Sequence, residues 1–225
     1  MNSNQADRRI LGRSDNASPR KPQRRNGHKK YEKLLDALEA LITEQNPNEI
    51  SLIDLAQAAG VPVASVYHFF PSVGASLTAL AERHYESFGK VLLEYSDFAP
   101  VESWQGFLNQ LCDLVCSYYQ GNISALRVHF GPQSSWALRQ LQMSNNRRLA
   151  NVLIKNLSRK FDLPSSRDWC DHVINAININ DCFLSHSYSY SGGITSEAVT
   201  EGKLAAAAYL KLYLGELLQP RKTSY

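Results

Sequence analysis

Two short segments with helical spacing of apolar residues, separated by a tight turn, restrict the fold of this 225-residue chain more than any other feature. Ser51 can cap the first segment, the pair Ala59-Gly60 ends it after about two turns, and Pro62 suits the first turn of the second. A longer helical pattern begins at Tyr31 and precedes both. Three helices in this order form a helix-turn-helix, whose last helix is held outward and fits the major groove of DNA. The sequence therefore predicts a three-helix DNA-binding module.

The remainder of the chain keeps helical periodicity, with no strand-like alternation of useful length and no internal repeat. Prolines and glycines divide it into segments of helical length. The fold is therefore predicted to be all-α with about nine helices, an N-terminal three-helix helix-turn-helix domain being followed by a larger helical domain. The expected divisions are a flexible basic arm at residues 1–27, the helix-turn-helix domain at 28–75 and the larger domain at 76–220.

Composition argues against several other classes of protein. With 44% hydrophobic residues the chain can bury a core, and no run approaches the roughly 18 apolar residues that a membrane span needs. The N-terminus has no apolar stretch of signal-peptide length, so a cytoplasmic location is expected. No C-x2-C pair occurs, which argues against structural zinc. The cysteines are interpreted as small buried hydrophobic residues, with a redox pair at Cys112 and Cys116 as the alternative.

The net charge of +3 conceals an uneven distribution. Residues 1–30 hold nine basic residues and two acidic ones and carry +7, whereas residues 31–225 carry −4. A basic arm on a mildly acidic body indicates a polyanionic partner for the arm, although a solubilising tail has the same composition. The DNA-binding module alone, counted over residues 31–75, carries −5 and should be repelled by phosphates. The arm is therefore expected to supply much of the affinity for DNA, through Arg20, Lys21, Arg24, Arg25, Lys29 and Lys30.

Two segments of the module carry a family resemblance. They are YEKLLDALEALITEQ and LAQAAGVPVASVYHFF, and they resemble the first helix and the helix-turn-helix of the TetR family, the tetracycline-repressor-like regulators. The resemblance covers residues 31–85, and GITSEAVTEGKLAAAAYLKLYL resembles the last helix of the family. Two positions depart from the family pattern: Val73 stands where a phosphate-contacting lysine is usual, and Ser76 stands at a leucine-like position.

The resemblance implies roles for the matching positions. Ser51 is expected to bond a phosphate, while Tyr67 and His68 are expected to contact the DNA backbone. Core packing of Tyr67 and a solvated His68 are the alternatives. The exposed start of the third helix should face bases, but it offers mainly apolar contact, suited to thymine methyl groups. With the arm, the expected DNA interface comprises Arg24, Arg25, Lys29, Lys30, Ser51, Val63, Ala64, Ser65, Tyr67 and His68.

One module of this size reads only a few base pairs, so specific binding generally needs two copies about one helical turn of DNA apart. A homodimer on a palindromic double-stranded operator is therefore expected. The family usually dimerises through its last two helices, which correspond here to residues 168–188 and 196–218. These hold more leucine and tyrosine than one buried face needs, although they could simply complete the core of the monomer.

An aromatic-rich middle segment precedes the expected dimer interface, and small-molecule pockets are mostly apolar with a few polar anchors. The resemblance implies such a pocket and a ligand-responsive regulator, a repressor that a small, largely apolar effector releases by moving the helix at 72–95. Activation of transcription, in place of repression, is the alternative. Ordinary core or interface positions are the alternative for each candidate ligand contact: Trp104, Phe107, Tyr118, His129, Trp136, His172 and Asn175.

Two other classes of function compete with this interpretation. An enzyme is not expected, and neither is a cofactor or a metal ion, because the sequence has no glycine-rich phosphate loop, metal-ligand cluster or nucleophile motif. A relative of the same fold that has lost DNA binding and acts as a protein-interaction module is the alternative. Val73 and the negative charge of residues 31–75 favour it.

Overall fold

The computed structural model describes residues 18–94, 101–131, 135–165, 168–219 and 221. These ranges contain nine α-helices and, apart from an isolated bridge residue at Phe161, no β structure, which confirms the all-α prediction. A 3-10 turn, Pro47–Glu49, separates the first two helices. The helices are α1 (Arg25–Glu44), α2 (Leu52–Ala59), α3 (Val63–Phe69), α4 (Val73–Glu94), α5 (Trp104–Gly121), α6 (Ile123–Phe130), α7 (Trp136–Lys160), α8 (Trp169–Ser191) and α9 (Ser196–Leu214).

The chain forms two compact units whose boundaries differ from the expected 28–75 and 76–220. The first unit comprises Met1–Ser87 and Asn122–Gln142, and the second comprises Phe88–Gly121 and Met143–Tyr225. The first unit is larger than the expected helix-turn-helix domain because later helices complete its core. Leu80 of α4, Val128 of α6 and Leu138 of α7 are all buried in the same apolar cluster as α1, α2 and α3.

The core of the first unit explains the order of its helices. Leu34 and Leu38 of α1, Leu55 of α2, Val66 of α3 and Phe70 just after α3 are completely buried. Burial of each such side chain contributes roughly 1.5–3 kcal/mol, so short helices that are marginal in isolation are held by tertiary packing. The three helices therefore form the predicted helix-turn-helix, with α1 as its support.

The second unit is built from α5, α8, α9, most of α7 and the end of α4. Trp104, Phe107, Leu153 and Leu210 lie in its buried cluster. The last helix ends at Leu214 rather than at the predicted residue 218, because Gly215 adopts φ +71° and donates its N–H to the carbonyl of Lys211. A residue with this positive φ has left the helical conformation, and glycine adopts it without a steric penalty.

The cysteines fall into two groups. Cys112 and Cys116 are buried, as predicted, and burial raises the pKa of their thiols to about 12 and about 11. The thiolate is the reactive form, so the redox pair loses support. The other two cysteines both lie on α8, where Cys170 is half-buried and Cys182 is exposed.

No single helix among the described residues is both long enough and apolar enough to cross a membrane. Val63–Phe69 and Val73–Leu93, a pair bent by 65°, together have the length and composition of a span, and this is the only respect in which they resemble one.

Candidate nucleic-acid interface

The short helix α3 divides its residues between the core and the outer face of the first unit. Val66 and Phe69 are buried, Ser65 is half-buried, and Val63, Ala64, Tyr67 and His68 are exposed. Tyr67 is 49% exposed, which excludes the core-packing alternative for this residue. An α-helix with its side chains is about 10–12 Å in diameter, so α3 can enter the major groove of B-DNA, which is about 12 Å wide.

The turn before α3 is set by a glycine and a proline. Gly60 adopts φ +58°, ψ +43°, a left-handed conformation that side chains with a Cβ rarely take. Its N–H and that of Val61 both bond to the carbonyl of Ala56, which closes the end of α2. Pro62 then precedes α3, and its carbonyl accepts from the N–H of Ser65 at 2.8 Å. These bonds fix the direction in which α3 leaves the turn.

Ser51 caps α2 through a reciprocal pair with Asp54. The Ser51 Oγ accepts from the Asp54 N–H at 3.1 Å and donates to Asp54 Oδ2 at 2.6 Å, while the Ser51 N–H donates to the same oxygen at 2.9 Å. These bonds also lower the pKa of Asp54. Both donors of Ser51 are thus engaged within the protein, so the expected phosphate contact would have to replace a bond to Asp54.

An open cleft of about 370 Å³ lies between the first turns of α1 and the outer side of α3. Its polar members are Asn26 and Lys30 from α1 and Ser65 and His68 from α3, and no acidic residue lines it. Ser, Asn, Lys and His side chains all carry hydrogen-bond donors, which is the chemistry that a phosphate oxygen requires. The cleft therefore joins two parts of the expected interface, Lys30 of the basic segment and the exposed side of α3.

Three of the acidic side chains of the module pair with one arginine, Arg83 of α4. The Arg83 guanidinium pairs with Asp36 at 2.6 Å, with Glu39 and, at 3.8 Å, with Glu32, and it also donates to the carbonyl of Leu35 at 3.0 Å. Arg83 lies outside the window over which the charge of −5 was counted. Its single positive charge offsets one of the six acidic charges in that count, so the expected repulsion of DNA by this module is smaller by one charge.

Charge is also segregated around α1. Asn26, Lys30 and Lys33 are spaced four and three residues apart and so share one side of the helix. That side faces α2 and α3. Asn26 and Lys30 line the cleft beside α3, and Lys33 Nζ lies close to Gly60, 3.7 Å from the position that a Cβ atom on this glycine would occupy. At 100° per residue, Glu32 and Glu39, two of the acidic residues paired with Arg83, lie about 100° or more from each of these positions, while the third, Asp36, borders the basic side about 60° from Lys33. The side of α1 nearest α3 is therefore basic.

The end of the basic arm is more ordered than predicted. α1 begins at Arg25, so residues 25–27 are helical, and residues 18–24, which we call the arm root, lie against the first unit. The Arg20 N–H donates to the carbonyl of Phe69 at 2.8 Å, and Lys21 Nζ pairs with Glu82 at 2.5 Å. The first 17 residues of the expected flexible arm lie outside the described residues.

The seven residues predicted to contact an effector lie in several different environments. Trp104 and Phe107 are buried in the core of the second unit, and Tyr118 is half-buried there with its ring 5.0 Å from that of Phe88. His129 and Trp136 belong to the first unit: His129 Nδ1 lies 2.9 Å from the Tyr85 hydroxyl, and Trp136 is 61% exposed.

The last two predicted contacts lie where α8 meets α9. The His172 ring stacks on Tyr213 at 3.6 Å, and the exposed Asn175 donates to the Tyr209 hydroxyl at 2.9 Å. These partners favour a role in joining the two helices. No single unit contains all seven residues, because aromatic composition indicates burial without indicating which helix covers a residue.

Residues that the sequence analysis missed include Arg83, Lys33 and Asn26. The spacing of Asn26, Lys30 and Lys33 is a helical stripe that could have been found once α1 was known to start before residue 28. Arg83 had no comparable signal, because its acidic partners lie 44 or more residues earlier in the chain.

Comparison with known proteins shows what this geometry is similar to. Residues 34–72 match the model of a family described as bacterial regulatory proteins, tetR family. An uncharacterised HTH-type transcriptional regulator of Mycobacterium tuberculosis strain H37Rv is 34% identical over 62 residues, which are 28% of this chain and 31% of that protein. The match thus spans about a third of the curated relatives' length.

Solved structures share the fold over most of the chain. A TetR-family transcriptional regulator from Streptomyces coelicolor has a TM-score of 0.62 at 22% identity, over 82% of this chain and 99% of that one. SmeT, the repressor of the Stenotrophomonas maltophilia multidrug efflux pump SmeDEF, has a TM-score of 0.58 at 16% identity, over 87% and 96%. The fatty acid degradation regulator FadR from Bacillus halodurans has a TM-score of 0.60 at 16% identity, over 89% and 100%. Residues 34–72 are thus similar to the helix-turn-helix of the tetR family of bacterial regulatory proteins, and the chain shares the fold of solved TetR-family regulators.

Proposed function

We propose that this protein is a transcriptional regulator that binds a palindromic DNA operator as a homodimer and represses from it until a small, largely apolar effector releases it. The observation that carries DNA binding is the outer face of α3. Four of its seven residues are exposed while Val66 and Phe69 hold the helix in the core, so the face is available for a groove. The tetR-family match at residues 34–72 supports the same function.

The electrostatics favour DNA binding over a fold relative that has lost it. That alternative depended partly on the negative charge of residues 31–75, and Arg83, which faces three of the acidic residues counted there, offsets one unit of that charge. The cleft beside α3 contains Lys30 and His68 and no acidic side chain. A positive surface next to an inserted helix is what phosphate binding requires.

The test is a selection from DNA of random sequence. The full-length protein is mixed with duplexes that hold a random 30-bp core, and bound duplexes are recovered and amplified over successive rounds. We expect enrichment of one sequence with two inverted half-sites about one helical turn apart. Failure to enrich any sequence at low salt would overturn the proposal and favour the interaction module.

Dimerisation is supported by apolar side chains left exposed on α9 of the second unit. Leu204 and Leu212 are 61% and 76% exposed, and Ala208, also exposed, lies between them at helical spacing. On α8 the exposed Asn178, Cys182 and His186 follow the same spacing. An apolar stripe of this kind on a soluble protein marks a contact surface, and a two-fold dimer buries it against its own copy.

An effector site in the second unit is supported by polar atoms without partners in an apolar core. Trp104 Nε1 and Gln110 Oε1 are buried and form no hydrogen bond within the described residues. An unsatisfied buried group costs about 1–3 kcal/mol, which a ligand with a matching polar atom would recover. The names of SmeT and FadR, a repressor of a multidrug efflux pump and a fatty acid degradation regulator, agree with an apolar effector.

The effector proposal is tested with the DNA duplex already selected. Decanoate, as an apolar acid, and benzalkonium, as an apolar cation, are added to the complex, and DNA release is followed by gel shift. We expect one of them to release DNA from the wild type and to need a higher concentration with Trp104→Phe, which keeps an aromatic side chain but removes the indole N–H. Equal release from both proteins would contradict a ligand contact at Trp104.

A further inference from the structure

The arm root, residues 18–24, is fixed to the first unit by contacts with three different elements. Its backbone bonds to the last residue of α3, where the Arg20 N–H meets the Phe69 carbonyl. Its Lys21 side chain pairs with Glu82 of α4. Its Pro22 packs on α1, since a Cβ placed on Gly27 would lie 3.1 Å from Pro22 Cβ. The arm root therefore has a defined position beside the C-terminal end of α3, the recognition helix of the helix-turn-helix.

That position determines which part of the DNA the arm root can meet. In a helix-turn-helix complex the N-terminal residues of the recognition helix contact base edges in the major groove. The arm root joins α1 at Arg25, directly before Asn26 of the cleft that α1 forms with α3, and an arm that precedes a helix-turn-helix in this way can reach the adjacent minor groove.

Two arginines of the arm root are available for that groove. Arg20 and Arg24 are exposed, and neither forms an ion pair within the described residues, whereas Lys21 is engaged by Glu82. Both precede the first turn of α1, and the backbone of Arg24 is extended, with φ −108° and ψ 148°. Arginine is the side chain that inserts into narrow, A·T-rich minor grooves, where the negative potential is strongest.

The recognition helix leaves room for a second source of specificity. Its exposed start consists of Val63 and Ala64, which have no side-chain donor or acceptor, followed by the half-buried Ser65. Discrimination of bases through hydrogen bonds in the major groove is therefore limited. A further contact that depends on the DNA sequence beside the half-site would increase the sequence specificity of the protein.

We propose that Arg20 and Arg24 of the arm root bind the minor groove flanking each half-site and favour A·T pairs there. The inference depends on the proposed function, because it requires a DNA operator. It adds a determinant of specificity outside the helix-turn-helix. The minor groove presents the same two acceptors for A·T and T·A pairs, so the preference is for A·T over G·C and not for a particular order of bases.

The test uses the selected duplex with three different flanks. The first flank is rich in A·T pairs. In the second flank each A·T pair is replaced by an inosine·cytosine pair, and in the third flank each A·T pair is replaced by a G·C pair. Inosine·cytosine resembles G·C in the major groove but lacks the amino group that G·C adds to the minor groove. The full-length wild type is expected to bind the first two flanks equally and the third roughly tenfold more weakly.

The variant Arg20→Gln/Arg24→Gln should lose this preference. It is expected to bind all three flanks alike, roughly tenfold more weakly than the wild type binds A·T, with the slope of log affinity against log salt smaller by about 2. The matched control is Lys90→Gln/Lys155→Gln, which removes the same charge from exposed positions of the second unit and should keep the preference.

Two results would overturn the proposal. A preference that follows the major groove, with inosine·cytosine behaving like G·C, would exclude minor-groove recognition. The second result is a variant that binds all three duplexes more weakly by the same factor and so keeps the preference for A·T. The arm root would then contact phosphate groups alone. If the wild type binds no selected duplex, the proposed function itself fails, which is a separate outcome.

Discussion

Arg83 shows how one side chain can change the meaning of a charge count. It is a half-buried arginine that faces three carboxylates of α1 and also donates to the carbonyl of Leu35. Hydrogen bonds between charged groups are stronger than neutral ones and depend on geometry that a linear count ignores. A charge count along the sequence leaves these carboxylates unpaired, because their partner lies more than 40 residues later.

Replacement of Arg83 tests this role. Arg83→Ala leaves three neighbouring carboxylates without a counter-charge, so we expect a loss of about 1–3 kcal/mol in the free energy of unfolding. Urea unfolding followed by circular dichroism measures it. Arg147→Ala is the control, because Arg147 pairs with Asp171 while both side chains are about two-thirds exposed. Its loss should be small, and equal losses in the two variants would contradict the assigned role of Arg83.

His84 gives the first unit a dependence on pH. Its Nε2 lies 3.0 Å from Ser124 Oγ, and burial is the main cause that lowers its pKa below the ordinary 6.5, with Glu39 raising the pKa and Arg83 lowering it. The folded protein thus favours the neutral ring. Stability is complete above the unfolded pKa and falls as the pH decreases from about 6.5 towards the folded pKa.

The variant His84→Gln separates this contribution from other histidines. Wild type and variant are unfolded in urea between pH 7.5 and pH 5.5, and the wild type should lose more stability on acidification. The carboxylates with lowered pKa values, Asp54 and Glu197, titrate below this window. Parallel curves for the two proteins would contradict a buried neutral His84.

At the scale of elements, local signals predicted helix ends well and helix partners poorly. Ser51, Gly60 and Pro62 mark the helix-turn-helix as expected, because caps and turns are decided by neighbouring residues. The start of α1 was missed, since Arg24 makes no side-chain cap and the first turn buries none of its residues. The candidate effector contacts were scattered, since burial of an aromatic ring depends on tertiary contacts that periodicity does not specify.

The pair α8 and α9 shows why one glycine matters inside a helix. Gly202 is buried, and a Cβ there would lie 2.7 Å from Asn180 Oδ1 of α8, closer than atoms can pack. Gly202→Ala should therefore lower the free energy of unfolding by about 1–3 kcal/mol, despite the better helix propensity of alanine. The control is Gly121→Ala, at the end of α5 with nothing within 4 Å of its Cβ position. Thermal unfolding that is unchanged in Gly202→Ala would contradict the close approach.

At the scale of the whole molecule, the exposed stripe of α9 is expected to join two copies. Leu212→Glu places a charge in the proposed interface, so it should shift the protein from dimer to monomer in sedimentation velocity at micromolar concentration. Leu93→Glu is the matched control, since Leu93 is 67% exposed on α4, and it should remain dimeric. A wild type that sediments as a monomer, or a dimer that survives Leu212→Glu, would contradict the assignment of this interface.

The central claim is that α3 reads DNA, and one pair of variants tests it most directly. Ala64→Glu puts a negative charge on the exposed start of α3, whereas Ala40→Glu puts the same charge on an exposed position of α1 that lies outside the cleft beside α3. Binding to the selected duplex is measured by fluorescence anisotropy at fixed salt. We predict that Ala64→Glu lowers affinity at least roughly a hundredfold while Ala40→Glu stays within a few fold of the wild type. Equal affinities of the two variants would show that this helix does not enter the groove.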